Sequence, residues 1–129
     1  MKEGSATAAP KPAKADNAPG YNEFGDVLIP HELKLVMKKS FVYRVPGVTA
    51  GVLSFKGNVD TISLIRFFEN NMPMDNWKLI SSFKSTRSIL LFFKENRWCV
   101  INISEGSFKS IVEVWVAPTI ESLQSLNLK

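Results

Sequence analysis

The sequence predicts an α+β domain in which an antiparallel sheet of about five to six strands packs against one main helix. Three observations support this fold class. Two runs rich in β-forming residues flank a Pro-Gly turn, a single helical pattern follows them, and four further apolar runs complete the chain. The predicted order is therefore a hairpin, a helix and a four-stranded meander, with the helix on one face of the sheet.

The first 20 residues differ in composition from the rest of the chain. They contain six Ala, three Pro and three Lys, and no aromatic or large branched apolar residue. Such a segment buries too little apolar surface to offset the entropy of ordering it, so we predict a disordered tether over residues 1–20. The domain is predicted to span residues 21–118. Residues 119–129 are expected to form a short C-terminal helix or a frayed tail.

The hairpin is predicted from two alternating runs, Phe41 to Val45 and Thr49 to Phe55, with a turn at Pro46-Gly47 between them. The segment before the hairpin, residues 22–39, has a weaker alternating pattern. We predict an extended segment or an edge strand there, and a short helix is the alternative.

The helix is predicted to begin after Asp60, a favourable N-cap, and to end at Pro73. Its apolar residues fall on one side, with Leu64 at the flank. The residues expected on this buried face are Ile62, Ile65, Phe68 and Met72.

Four strands are predicted after the helix, and the short polar connections between them favour antiparallel neighbours. The predicted strands are Trp77 to Phe83, Ser88 to Phe93, Arg97 to Ile103 and Ile111 to Val116. In the first of them, Trp77, Leu79 and Phe83 are expected to share a face.

Two of these runs, Ile89 to Phe93 and Ile111 to Val116, carry large apolar residues on both faces. A helix of about 13 residues is roughly 20 Å long, whereas a six-stranded sheet is about 24 Å across, so one helix leaves much of the sheet uncovered. We therefore expect a second cover: the segment Phe24 to Met37, strong curvature of the sheet, or a second subunit. An uncovered remainder would form a binding surface.

Composition and charge exclude several classes of protein. The net charge of +4 is scattered, with no basic run longer than two residues, as is typical of a solvated surface. No run of 18 apolar residues predicts a membrane-spanning helix, and the N-terminus has no apolar core of a signal peptide. His31 and Cys99 are the only residues of their types, so we expect no metal site and no disulfide framework.

We expect no enzyme, no catalytic residue and no cofactor. Cys99 lies in an apolar strand, which favours a core residue. The carboxylates of Asp60, Glu69 and Asp75 are expected to cap the helix or to face water. The glycines form neither of the phosphate-binding loop motifs.

The residues predicted to bind a partner are Tyr43, Arg44, Trp98 and Trp115, which lie in the hairpin and the meander. Sheets that bind single-stranded nucleic acid stack bases on rings that are interleaved with basic residues. These rings lie within apolar runs that core packing also explains. Nucleic-acid binding is therefore the alternative and not the leading hypothesis.

Four segments carry a resemblance to a known class of domain: Asn76-Trp77-Lys78-Leu79, Leu91-Phe92-Phe93-Lys94, Arg97-Trp98-Cys99-Val100-Ile101 and Val114-Trp115-Val116-Ala117-Pro118. The chain resembles the small α+β domains of uncharacterised bacterial cell-envelope lipoproteins. Those domains have a tether of similar composition, a helix that leads into a Trp-containing strand, and a meander with a basic turn. The resemblance implies a lipid anchor, whose cysteine is not among these 129 residues.

The predicted function is that of a non-enzymatic, tethered cell-envelope domain that contacts a protein or cell-wall partner. A soluble nucleic-acid-binding or adaptor module is the alternative. Homodimerisation, and membrane tethering through an N-terminal lipid, are further hypotheses about partners. We expect the chain in the envelope or periplasm if a signal peptide precedes it, and in the cytoplasm otherwise.

Overall fold

The structure is a computed structural model that describes residues 18–120, and it contains an antiparallel α+β fold. The strands are β1 (Gly20–Tyr21), β2 (Leu28–Ile29), β3 (Lys34–Leu35), β4 (Phe41–Val45), β5 (Val48–Gly57), β6 (Lys78–Phe83), β7 (Arg87–Lys94), β8 (Arg97–Glu105) and β9 (Ser110–Pro118); the main helix is α1 (Thr61–Asn71), and 3-10 helices span Met37–Lys39 and Met72–Asp75. None of the helices in this range has the length and apolar character needed to cross a membrane. Most of the predicted tether (1–20) and of the predicted C-terminal helix or tail (119–129) lies outside the described residues.

Seven strands form the main sheet. Six of them follow the order β3-β5-β9-β8-β7-β6, and the seventh, β4, pairs with β5 on the same side as β3. Strands β1 and β2 form a separate two-stranded sheet. The hairpin β4–β5 joins the meander β6–β9 where β5 pairs with β9, with Leu53 opposite Val114. The predicted fold class is confirmed. The main sheet has one strand more than the predicted five to six, because the short β3 adds an edge strand.

Helix α1 begins where the sequence predicts, because Asp60 caps it. The Asp60 carboxylate accepts hydrogen bonds from the Ser63 backbone N–H (2.9 Å) and hydroxyl (2.8 Å). These bonds, the backbone bond foremost, hold the pKa of Asp60 below its ordinary value. After the helix, Asn76 adopts a left-handed conformation (φ 71°) that ends the following 3-10 turn.

The buried face of α1 contains Leu64, Ile65 and Phe68. Ile62 is exposed, so its predicted place on the buried face was wrong. The reason is geometric: at 3.6 residues per turn, Ile62 lies roughly 100° around the helix from the centre of that face.

A single core lies between α1 and one face of the main sheet. The segment that precedes β4 belongs to this same core. Its buried residues are Phe24, Val27, Ile29 and Leu33. The Trp77 indole N–H donates to the Asp26 carbonyl (2.8 Å) and fixes the segment there. The segment therefore covers the helix side of the sheet, and the hypothesis that it covers the second face is wrong.

A β-bulge in β6 changes which side chains share a face. Leu79 lies opposite Phe92, but Ser81 lies opposite Leu91, so Ile80 is an extra residue. Each extra residue reverses the alternation of the strand beyond it. Phe83 is consequently exposed on the side away from Trp77. The prediction was therefore wrong for Phe83, whereas Trp77 and Leu79 share the core face.

Gly51 allows β4 to lie close against β5. Its φ is +151°, and a Cβ at this position would lie 2.0 Å from the Phe41 carbonyl oxygen. A side chain would therefore displace β4. The glycine helps to place Phe41 and Tyr43 on the sheet.

Candidate functional site

The candidate site is the face of the main sheet that lies away from α1, which we call the open face. Side chains alternate along β8, so that Cys99 and Ile101 are buried in the core and Trp98 and Val100 lie on the open face. The large apolar side chains exposed on this face are Phe41 (66 %), Tyr43 (54 %), Ile80 (52 %), Phe83 (63 %), Ile89 (37 %), Phe93 (40 %) and Trp115 (43 %). Their exposure shows that this face is the less protected side of the sheet.

Strand register places the apolar residues of the open face in two neighbouring rows, which we call the apolar strip. The first row is Phe41, Val52, Trp115, Val100 and Leu91, and it ends in β6 at Ser81, next to the bulge residue Ile80. The second row is Tyr43, Ala50, Ala117, Trp98, Phe93 and Lys78. The strip crosses six strands, which makes it roughly 24 Å long. Lys78, at the β6 edge, is its only charged residue.

The apolar strip has a hollow at one half and a ridge at the other. The hollow measures about 500 Å³ and lies over β6, β7 and β8. It is lined by Ile80, Leu91, Phe93, Trp98 and Val100; Phe92 also borders it, although its side chain is fully buried in the core. The ridge consists of the exposed rings of Phe41, Tyr43 and Trp115 on β4 and β9. The strip thus offers both a cavity for large side chains and large side chains that can fill one.

A polar row borders the strip on one side, formed by Ser54, Glu113 and Asn102. The Glu113 carboxylate oxygen Oε1 accepts hydrogen bonds from the Trp115 indole N–H (3.3 Å) and from the Asn102 amide (3.4 Å). The bond to the indole orients the Trp115 ring in the ridge. It also satisfies the one polar group that this ring carries.

The structure brings together three of the four residues predicted to bind a partner. Tyr43, Trp98 and Trp115 all lie in the apolar strip. Arg44 lies on the other side of β4, where its guanidinium pairs with the Glu23 carboxylate and donates to the Glu23 carbonyl (3.3 Å). It holds the N-terminal segment of the domain and does not belong to the strip.

Sequence reasoning missed most of the hollow. Ile80, Leu91, Phe93 and Val100 were not among the predicted binding residues, although they line it. The signal that could have found them is the apolar character of both faces of β7. The bulge that brings Ile80 into the hollow left no such signal.

A cluster of charges at the ends of β7 and β8 serves the core side of the sheet. The Asp26 carboxylate accepts hydrogen bonds from Lys94 Nζ (2.6 Å) and from the Arg97 guanidinium, and Lys94 also donates to the Asp75 carbonyl (2.8 Å). Both cations lie over the Trp77 ring, at 5.1 Å and 4.9 Å from its centroid. Lys94 and Arg97 therefore hold the segment around Asp26 in place.

The pKa of Asp26 reflects its contacts with Lys94 and Arg97, which we call the clamp. Partial burial alone would raise it, but the hydrogen bonds and positive charges of Lys94 and Arg97 outweigh burial and hold the pKa below its ordinary value. Asp26 is therefore a carboxylate in the folded protein at neutral pH.

The remaining groups that could carry chemistry are dispersed. Burial raises the pKa of the Cys99 thiol, which keeps the residue protonated within the core. The His31 imidazole is exposed and lies 3.4 Å from the Glu32 carboxylate. Over residues 18–120, His, Cys, Asp and Glu form no group of three that could hold a metal ion.

Comparison with known proteins gives no match to a family model, to a curated protein or to a solved structure. The geometry of the apolar strip is therefore the basis on which a function can be argued.

Proposed function

We propose that this chain is a non-enzymatic interaction domain that docks a protein partner onto the apolar strip, and that residues 1–20 tether it at the cell envelope. The observation that carries the proposal is the exposed strip itself. At about 200 Å² for each aromatic side chain, its four most exposed rings present roughly 400 Å² of surface to solvent, and the aliphatic neighbours add to this. The largest apolar patch of a monomer is about 300–600 Å² and is often functional.

The chemistry of the strip favours a protein over a nucleic acid. Phosphate contacts dominate nucleic-acid affinity and need free cations. The strip contributes only Lys78, while Lys94 and Arg97 are paired with Asp26. A polysaccharide presents many hydroxyl groups, and the strip has few polar atoms to receive them. An apolar protein surface is the partner that this face fits best.

The state of the reactive groups supports a binding role over catalysis. The Cys99 thiol is buried, and the Asp26 and Asp60 carboxylates already accept hydrogen bonds that stabilise the fold. A general base needs a substrate within hydrogen-bond reach and a cleft that holds it. The hollow of the strip is lined by apolar side chains and offers no such group.

Site-specific photo-crosslinking tests the proposal. The full chain is produced in its native host with a photoreactive phenylalanine analogue at Phe93 in the strip, or at Phe108 in the β8–β9 loop as the matched control. We expect a light-dependent adduct with protein from position 93 and none from position 108. Adding Val100→Lys to the first variant, which places a charge in the hollow, should abolish the adduct.

Three further results would contradict the proposal. Equal adducts from both positions, or none from position 93, would exclude the strip as the docking surface, and an adduct sensitive to nuclease would point to nucleic acid. Fractionation of the same cells tests the envelope location separately. The chain is expected in the membrane or periplasmic fraction, and recovery in the cytosol alone would overturn that part of the proposal.

A further inference from the structure

We infer that the partner is a second copy of this chain, and that two copies pack open face to open face into a β-sandwich around a two-fold axis. The inference rests on the proposed function, because it names the partner of the same apolar strip. In a two-fold contact, the same patch serves both copies and must therefore be complementary to itself. The hollow and the ridge of the strip together meet that requirement.

The hollow and the ridge lie on opposite halves of the strip. The ridge rings Phe41, Tyr43 and Trp115 belong to β4 and β9, whereas the hollow lies over β6, β7 and β8. A two-fold axis that runs along the strands between β8 and β9 inverts the order of strands across the sheet. It therefore brings the ridge of each copy over the hollow of the other.

Side-chain sizes match along the first row under the same axis. The axis exchanges β9 with β8, β5 with β7, and β4 with β6, while positions along the strands are kept. Trp115 then meets Val100 of the second copy, and Val52 meets Leu91. Phe41 meets Ser81 and the adjacent bulge residue Ile80 at the rim of the hollow. Large groups therefore face smaller ones, as interdigitating sheet packing requires.

The second row matches in the same way. Trp98 meets Ala117 of the second copy, and Phe93 meets Ala50. Two rings thus lie over two alanines. The pairing would fail if either alanine carried a large side chain, because the ring opposite it would lose its space.

Charge and area are also compatible with a second copy. Lys78 at the β6 edge lies opposite Tyr43 of the other copy, so the two Lys78 ammonium groups lie at opposite ends of the interface. Taken with Phe83 and Ile89, the open face presents on the order of 600–800 Å² of apolar surface, against about 800 Å² for each partner in a standard interface.

The mass of the full chain in solution is the first test, measured by sedimentation over a series of concentrations. We expect the mass of two chains for the natural sequence. Val100→Lys buries an unpaired ammonium group in the interface and should weaken dimerisation by about 100-fold or more. Phe108→Lys, outside the strip, should leave the dimer intact. Circular dichroism of each variant confirms that it is folded.

Charge substitutions at Tyr43 test the register of the two copies. Tyr43→Lys and Tyr43→Glu both remove the ring, but only Tyr43→Lys places a like charge opposite Lys78 of the second copy, so it should weaken the dimer about 10-fold more than Tyr43→Glu does. Adding Lys78→Glu to Tyr43→Lys should return dimerisation to the level of the Tyr43→Glu variant. Equal effects of the two Tyr43 substitutions would overturn the proposed axis.

The outcomes separate this inference from the proposed function. A chain that stays monomeric at every concentration overturns the second copy as partner, while a Phe93 crosslink to a different protein would still support docking through the strip. A dimer whose mass is insensitive to Val100→Lys overturns the interface proposed here. If position 93 also gives no adduct, docking through the strip fails as well.

Discussion

The two faces of the main sheet are built from similar residues and have different environments. On β7, Leu90 and Phe92 are fully buried, whereas their neighbours Ile89 and Phe93 are 37 % and 40 % exposed. All four are large and apolar, so apolar character alone does not decide burial. What decides it is the presence of a cover, and on the core face that cover is α1 together with the segment that precedes β4.

This difference gives the two faces separate roles. The core face has its partners within the domain, so its contacts contribute to the stability of the fold. The open face leaves its apolar surface in contact with solvent, and we propose that a partner binds there. Substitutions on the core face should therefore destabilise the domain, and equivalent substitutions on the open face should change association while leaving the fold intact.

Adjacent phenylalanines on β7 provide the strongest test of this comparison. Phe92→Ala should lower the free energy of unfolding by about 3–5 kcal/mol, because it leaves a cavity in the core. Phe93→Ala removes a ring that is already partly in water and should cost about 1 kcal/mol in the isolated chain. Chemical denaturation at low protein concentration measures both effects without a contribution from association.

The same pair should show the reverse order in association. Phe93→Ala should weaken the dimer, since its ring lies in the strip, and a folded Phe92→Ala protein should associate like the natural chain. Equal losses of stability from the two substitutions would mean that a cover protects the open face in the isolated chain.

Removing the clamp at Asp26 tests how the segment before β4 is held on the core face. We expect a loss of stability smaller than that of Phe92→Ala. Asp26→Asn leaves the partly buried Lys94 and Arg97 without their counter-ion, which should lower the free energy of unfolding by about 1–3 kcal/mol at neutral pH. Glu23→Gln is the matched control, because it breaks only the exposed pair with Arg44 and should cost less than about 1 kcal/mol.

The pH dependence of this effect has a defined sign. Because the pKa of Asp26 is lower in the folded chain, the stabilisation is complete above the unfolded pKa of about 3.9 and is lost as pH falls through the folded value. The difference in free energy of unfolding between Asp26→Asn and the natural chain should therefore become smaller in acid. A difference in free energy of unfolding that stayed constant down to the pH of acid-induced unfolding would contradict the role of this carboxylate.

Local sequence signals were sufficient for most of the fold. The Asp60 cap, the Pro46-Gly47 turn and the short connections of the meander predicted its elements in the right order. The bulge at Ile80 was not predictable, because it depends on how β6 pairs with β7. The clamp at Asp26 was not predictable either, since it joins residues about 70 positions apart in the chain.

The candidate site was predictable in part. Two-sided apolar strands predicted a second surface, and the ring positions Tyr43, Trp98 and Trp115 lie on it. Arg44 could have been excluded from the sequence, because neighbouring residues in a strand point to opposite faces. The side on which residues 24–33 pack could not be predicted, since their apolar residues would suit either face.

The smallest effect in this comparison is expected at the N-cap of α1. Asp60→Ala removes the acceptor for the Ser63 N–H, and should lower Tm by roughly 5 °C, because one backbone donor at the start of the helix loses its partner. Asp60→Asn keeps an acceptor and should lower Tm less. Because α1 lies on the core side, neither variant should change the mass of the dimer. A folded Asp60→Ala protein that is monomeric would show that the helix side takes part in association, and would end the separation of roles between the two faces.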